Sequence, residues 1–215
     1  MTTLTRREFL KTSGALVVSF AAPPITGALA QAAAGKPALV PTELDSWIAI
    51  LPDGRVQAFF GKMDMGQGLD VVIAQIVADE LDVACDKVDV LMGDTGTSCN
   101  QGGASGSTGV SNGGRLLRSA AAEARRLLLE SGSKRLGVPA EQLRVEEGII
   151  LSQDGRKVAY SELVGGKYFH HPVEWNKQVG NAMDIKVQAK PKTPQEYRVV
   201  GKSFARRDEI GRAHV

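Results

Sequence analysis

The chain has 215 residues, 43% of them apolar and 23% charged, with a formal net charge of +2. That length and mix suit one or two globular domains with a sizeable core and exclude a wholly disordered chain. Of 26 basic and 24 acidic residues, three basic (Arg6, Arg7, Lys11) and one acidic (Glu8) fall before residue 12, so the remainder is balanced at 23 of each and offers no basic field for nucleic acid.

The N-terminus reads Thr5-Arg6-Arg7-Glu8-Phe9-Leu10-Lys11, then a moderately apolar stretch over 15–22, then Ala28-Leu29-Ala30. This is the layout of a twin-arginine signal peptide over 1–30, with a small-residue cleavage site. Its apolar run stops at Pro23-Pro24 and is short for a membrane span. The expected location is the periplasm, with peripheral attachment to the inner membrane left open. Residues 31–45, rich in Ala, Pro and Gly, read as an extended arm.

A domain is expected over 46–185. Residues 46–51 (SWIAIL) and 55–60 (RVQAFF) alternate and are joined by Pro52-Asp53-Gly54, a hairpin signal. Met65-Gly66-Gln67-Gly68 follows, and after it Leu69, Val72, Ile73, Ile76, Val77 and Leu81 fall at helical spacing, with Asp70, Asp79 and Glu80 placed on the opposite, polar side. A helix starting there is expected to present free N–H groups and a positive dipole end to a ligand, while the glycines leave room for its approach. Residues 87–92 (KVDVLM) read as a strand. A second small-residue loop, Gln101-Gly102-Gly103-Ala104-Ser105-Gly106-Ser107-Thr108-Gly109, leads into a helix over 113–136. In that helix Arg115, Arg118, Glu123, Arg125 and Arg126 are assigned to the solvated face.

A short helix at Pro139, strands over 144–146 and 149–152 and a helical turn over 161–164 complete the pattern. The fold class is α/β (α+β): a small mixed sheet with helices packed on it and the glycine turns at its rim, where ligands commonly sit. Residues 186–208 read as a polar connector and the start of a next domain. Residues 209–215 (EIGRAHV) read as an artefactual tail on a truncated reading frame, so His214 carries no functional weight.

Each glycine loop alone fits a turn or a linker as well as a ligand cradle; as a pair they favour a bound cofactor with phosphate and heterocyclic edges. Cys85 and Cys99 are expected as thiols and cannot by themselves form a zinc or iron–sulfur site. His170-His171 is expected as a surface pair. No Walker loop, dinucleotide fingerprint or Ser-His-Asp arrangement is visible.

The string DMGQGLDVVIAQIVADELDV, followed by KVDVLMGDT and QGGASGS, resembles the molybdopterin-binding large subunit of the xanthine dehydrogenase and aldehyde oxidase family. The branch it is most similar to is the exported one typified by the isoquinoline 1-oxidoreductase beta subunit. The resemblance implies that Met65, Gly66, Gln67 and Gly68 contact the pterin and the metal end of a molybdenum-molybdopterin cofactor, whose cytosine dinucleotide form stays open. It also implies that Gly102, Gly103, Ala104, Ser105 and Ser107 line the pterin. Further implications are hydroxylation of an N-heteroaromatic or aldehyde substrate with oxygen drawn from water, and a small partner subunit carrying [2Fe-2S] clusters. A c-type cytochrome is an optional onward electron acceptor, and the general-base glutamate of the family has no counterpart here. The alternative reading is a non-enzymatic exported phosphate- or nucleotide-binding module. Export of an already folded protein would suit a cofactor inserted beforehand.

Overall fold

A computed structural model describes residues 39–164 and 166–206. The expected signal peptide over 1–30, the first part of the arm and the tail over 209–215 lie outside the described residues.

The expected hairpin forms from β1 (Ile48–Ile50) and β2 (Val56–Phe60), paired antiparallel with Ile50 opposite Val56. The chain then runs through α1 (Leu69–Leu81) and returns as β3 (Val88–Met92), which pairs parallel to β2 from Val56↔Val88 to Phe60↔Met92. Parallel pairing requires such a crossover, and the helix supplies it. The result is a mixed sheet of order β1-β2-β3. The long helix α2 (Arg115–Leu136) packs beside α1 and ends on Gly137, whose left-handed backbone (φ 67°) closes the last turn onto Ser133 O. Beyond it β4 (Leu143–Glu146), β5 (Ile149–Ser152) and β6 (Lys157–Ala159) make an antiparallel meander, of which β6 is too short to show a pattern in the sequence. After α3 (Tyr160–Leu163), a small ribbon of β7 (Glu174–Trp175) and β8 (Ile185–Lys186) completes the unit.

One apolar core joins these elements. Trp47 just before β1, Ile50 and Phe60 from the mixed sheet, Ile73 and Leu81 from α1, Leu117 and Leu128 from α2, Ile150 from the meander and Tyr160 from α3 are all buried in it. The Tyr160 hydroxyl, the one polar atom it brings inside, donates to Leu81 O at 3.1 Å.

Three sequence expectations change. The extended arm does not reach residue 45: Leu44 and Asp45 are buried, Glu43 bridges to Pro172, and the Asp45 carboxylate accepts the N–H groups of Phe169 and His170. The acidic groups assigned to a wet face are also inside, with Asp79 3%, Glu80 1% and Glu123 0% exposed. Each clamps an irregular segment. Asp79 accepts the backbone N–H groups of Arg198, Val199 and Val200, Glu80 that of Lys192, and Glu123 those of Gln188 and Ala189. A segment without strand partners must place its buried N–H groups somewhere, and these carboxylates are where they go. Residues 188–200 are therefore fastened to the helices rather than a loose connector. The helix arginines share this network: Arg125 pairs with Asp82, Arg126 with Glu123, and Arg118 lies over the Tyr197 ring at 4.5 Å.

Candidate functional site

The strand β2 is followed by Gly61, where an added Cβ would lie 1.8 Å from Cys99 O; only glycine lets strand exit and loop touch. Four residues later comes the Met65–Gly68 turn, with Gly66 at φ 97° and Gly68 at φ 77°. Met65, Gly66 and Gln67 are exposed, Met65 by 71%, and Gly68 is buried at the helix start.

The expected free N–H groups at this helix start are partly taken: those of Gly68 and Leu69, with two from the turn before them, already have an acceptor. The Asp64 carboxylate accepts from Gly66, Gln67 and Gly68 (2.8, 2.8 and 3.2 Å) on Oδ1 and from Leu69 (2.7 Å) on Oδ2. A carboxylate before a helix satisfies the donors it reaches and complements the dipole, so the turn carries its own anion. Desolvation pulls the Asp64 pKa upward, but the four backbone N–H groups outweigh it and hold the carboxyl below the ordinary aspartate range. What the turn offers a ligand is its outer surface. The Gln67 Oε1 accepts the Met65 N–H at 2.7 Å, which fixes the side chain and leaves its NH2 end as a donor. Arg206 Nη2 donates to Gly66 O at 2.6 Å.

The second loop is tied to this region by a lysine that the sequence does not flag. Lys62, 2% exposed, donates from Nζ to Gly103 O (2.9 Å), Thr108 Oγ1 (3.3 Å) and Asn181 Oδ1 (2.5 Å). Leu69, the first residue of α1, fills the space over Gly109, where a Cβ would meet its methyl carbons at 2.7 Å. The helix start and the small-residue loop therefore share a wall. From that wall Gly103, Ser105, Gly106 and Ser107 are exposed, with Gly102 and Ala104 half-buried. Gly102 faces inward: a Cβ there would meet the Gly180–Asn181 backbone at 2.8 Å. Gly66 and Gly106 differ, since nothing lies within 4 Å of an added Cβ at either, and at Gly103 the nearest atom is Ser105 Oγ at 3.9 Å. These three have open space in front of bare backbone, the kind of cradle a ligand fills. Beside them Gln101 is 1% exposed and has no hydrogen-bond partner for either polar atom of its carboxamide.

A single-turn π segment, Gly109–Gly114, carries the loop into α2. An added Cβ at Gly113 would lie 2.6 Å from the Phe60 ring, so the glycines let this widened turn lie close on β2 and α1.

The remaining candidates leave the site. His170 is exposed, but His171 is not a surface partner to it: its Nε2 lies 3.0 Å from Glu123 Oε1, because a left-handed residue 170 (φ 48°) turns the chain inward. Cys99 is buried, Cys85 half-buried, and neither is in a disulfide. Among the described residues no group of His, Cys, Asp and Glu could hold a metal ion, and no helix is long and apolar enough to cross a membrane.

Residues 18–205 match the family model of the molybdopterin cofactor-binding domain. The chain belongs to that family. Within it, the chain is 37% identical over 208 residues to a nicotinate dehydrogenase subunit of Pseudomonas putida, covering 97% of this chain and 16% of that protein. It is 27% identical over 233 residues to the beta subunit of isoquinoline 1-oxidoreductase from Brevundimonas diminuta, covering 95% of this chain and 30% of the relative. The chain thus spans less than a third of either curated relative, and both are named as one subunit of a larger enzyme. Among solved structures it aligns with CO dehydrogenase from Oligotropha carboxidovorans at a TM-score of 0.46 and 26% identity, over 54% of this chain and 15% of the other. The resemblance read from Met65–Gly68 and the QGGASGS loop and the family match point to the same domain.

The exposed residues of a molybdopterin-binding domain should offer bare backbone, neutral hydrogen-bonding side chains and no competing core packing. Gly66, Gly103 and Gly106 facing open space, with Gln67, Ser105 and Ser107 exposed beside them, fit such a group.

Proposed function

We propose that this chain is the N-terminal, cofactor-holding part of the large subunit of an exported molybdenum hydroxylase acting on an N-heteroaromatic or aldehyde substrate. The observation that carries the reading is the shared wall: Lys62 and Leu69 join the Met65–Gly68 turn to the Gly103–Ser107 loop, and both present open glycines. Met65, Gly66 and Gln67 from one side and Gly103, Ala104, Ser105 and Ser107 from the other would hold the pterin, with buried Gly68 and inward-facing Gly102 shaping the two turns behind them. When bound, the cofactor supplies the two-electron acceptor for the hydroxylation. Gln67, a neutral amide fixed by its own turn, orients that group and moves no proton. Met65 and Gly66 shape the approach, and the loop hydroxyls of Ser105 and Ser107 give hydrogen bonds to heterocyclic edges. A small [2Fe-2S] partner subunit belongs to this reading as the electron acceptor, with a c-type cytochrome as an optional onward acceptor. The cytosine dinucleotide form of the cofactor and export by the twin-arginine route belong to the same reading, supported by the layout of residues 1–30.

The test is metal and pterin analysis of the protein purified from a cofactor-making host. The expected result is molybdenum near one per chain in the wild type, and loss of at least nine-tenths of it in Gln67→Ala combined with Gly103→Phe, with the circular dichroism unchanged. Full molybdenum in the double variant would reject the site assignment. Absence of both molybdenum and pterin from the wild type would favour the simpler phosphate-binding module.

A further inference from the structure

The Lys62 ammonium is buried with three neutral oxygen acceptors and no carboxylate. Among the described residues none of the acidic side chains comes within 4.0 Å of Nζ, although the other buried charges, Asp45, Asp79, Glu80 and Glu123, are answered by an opposite charge or by two or more backbone N–H groups. Asp64, two residues on, is engaged with the helix start. A buried cation without a counter-ion is costly, and an anion placed near it offsets that cost. Burial also holds the Lys62 pKa below the ordinary lysine value, with no charged neighbour opposing it.

The contact to Gly103 O adds direction. No peptide bond in the described chain is cis, so the Gly103 carbonyl and the Ala104 N–H point opposite ways across one planar unit. With the carbonyl drawn inward to Lys62, the Ala104 N–H turns toward the open side of the loop, between exposed Gly103 and exposed Ser105. Among the described residues no acceptor takes it. A cation on the carbonyl polarises the peptide and makes that N–H a stronger donor.

We propose that Lys62 is a positioning residue for an anionic, phosphate-bearing part of the ligand, acting through the Gly103–Ala104 peptide and supplying the positive charge that this part neutralises. This rests on the cofactor-binding reading. It separates two roles of the loop: glycines for approach, and one outward N–H backed by a buried charge for the anion. Gln101, unpartnered next to the same strand end (its Cγ 3.0 Å from an added Cβ at Gly61), marks the same corner as one whose polar groups are not all answered from within the chain.

Titration of the whole chain with inorganic pyrophosphate by calorimetry tests this, with uncharged 6-hydroxymethylpterin as the control. Pyrophosphate binding should weaken at least tenfold in Lys62→Met, stay within about threefold of wild type in Lys62→Arg, and stay so in Thr108→Val, which removes a neutral acceptor but no charge. Lys62→Gln replaces the methionine variant if that one fails to fold. Wild-type binding should also fall as pH rises through the lysine pKa, a loss that the arginine variant postpones. Hydroxymethylpterin binding should not follow the charge. Equal loss in the methionine and arginine variants, or none in either, overturns the assignment. So does a wild type that ignores pyrophosphate, whatever its molybdenum content. Pyrophosphate bound through Lys62 by a protein that never loads molybdenum overturns the cofactor reading alone.

Discussion

Replacing Asp64 asks whether the glutamine-bearing turn is held by one carboxylate. Its oxygens accept four backbone N–H groups, three on Oδ1 and one on Oδ2, at 2.7–3.2 Å. A capping side chain is worth about 0.5–2 kcal/mol; Asp64 acts from four positions before the cap residue Gly68 but answers four donors, so the upper half of that range applies, about 1–2 kcal/mol, the site being partly solvated and the bonds not additive. Asp64→Ala should lose all of it. Asp64→Asn keeps one carbonyl oxygen for three donors but sets an NH2 group against the Leu69 N–H, so it should lose about 1 kcal/mol. In a chain of this size those losses correspond to roughly 2–8 °C in Tm. The assay is urea unfolding at several pH values, with amide hydrogen exchange of residues 66–69. The folded-state pKa of Asp64 lies below its unfolded value, so its contribution is present above the unfolded pKa and is lost as pH falls through the folded one. The gap between wild type and Asp64→Asn should therefore close in acid. A gap below about 0.3 kcal/mol at pH 7, or one that persists unchanged at low pH, would refute the capping argument.

Two further substitutions test the packing around the site. In Glu123→Gln the one carbonyl oxygen can serve either the Gln188 and Ala189 N–H groups, which share Oε2, or Arg126 and His171, which share Oε1, while the NH2 faces the other pair, so the change should cost about 3 kcal/mol by thermal or urea unfolding. Desolvation raises the Glu123 pKa, but Arg126, the backbone and His171 bring it below the ordinary value, so this contribution too is present at neutral pH and fades in acid. A variant as stable as wild type would show the clamp to be idle. Gly113→Ala would gain helix propensity on a surface helix, yet here a Cβ 2.6 Å from the Phe60 ring should destabilise by about 1–3 kcal/mol; a stabilised variant would mean that the ring moves aside freely.

The regular elements can be read ahead because each carries its own local signal. The hairpin of β1 and β2 follows from alternation around Pro52-Asp53-Gly54, and α1 and α2 from apolar spacing, all within a few residues of their observed ends. The polar side of those helices cannot be read, since spacing reports where apolar residues fall and says nothing about what lies opposite. Asp79, Glu80 and Glu123 look like solvent-facing residues until segments more than sixty positions away need their oxygens. His171 departs from expectation for a related reason: the rule that neighbours on an extended segment diverge fails where residue 170 is left-handed. Asp64 is harder to read, because it stands four positions before the cap residue Gly68, whereas the capping signature places the aspartate immediately before the helix. Lys62 cannot be read, as no pattern distinguishes a lysine at a strand exit from an exposed one.

Residue order alone determined the strands, the two helices and the two glycine-rich turns, because backbone preference and apolar periodicity act over a few residues. It also carried the family, through motifs some thirty positions apart. Only the folded chain decided that the two turns share a wall, that Asp64 takes the N–H groups of the turn and of the first helical residue, and which glycines face open space. Those outcomes depend on groups brought together from distant positions, such as Lys62 with Gly103 and Asn181, and a contact of that kind has no period to read.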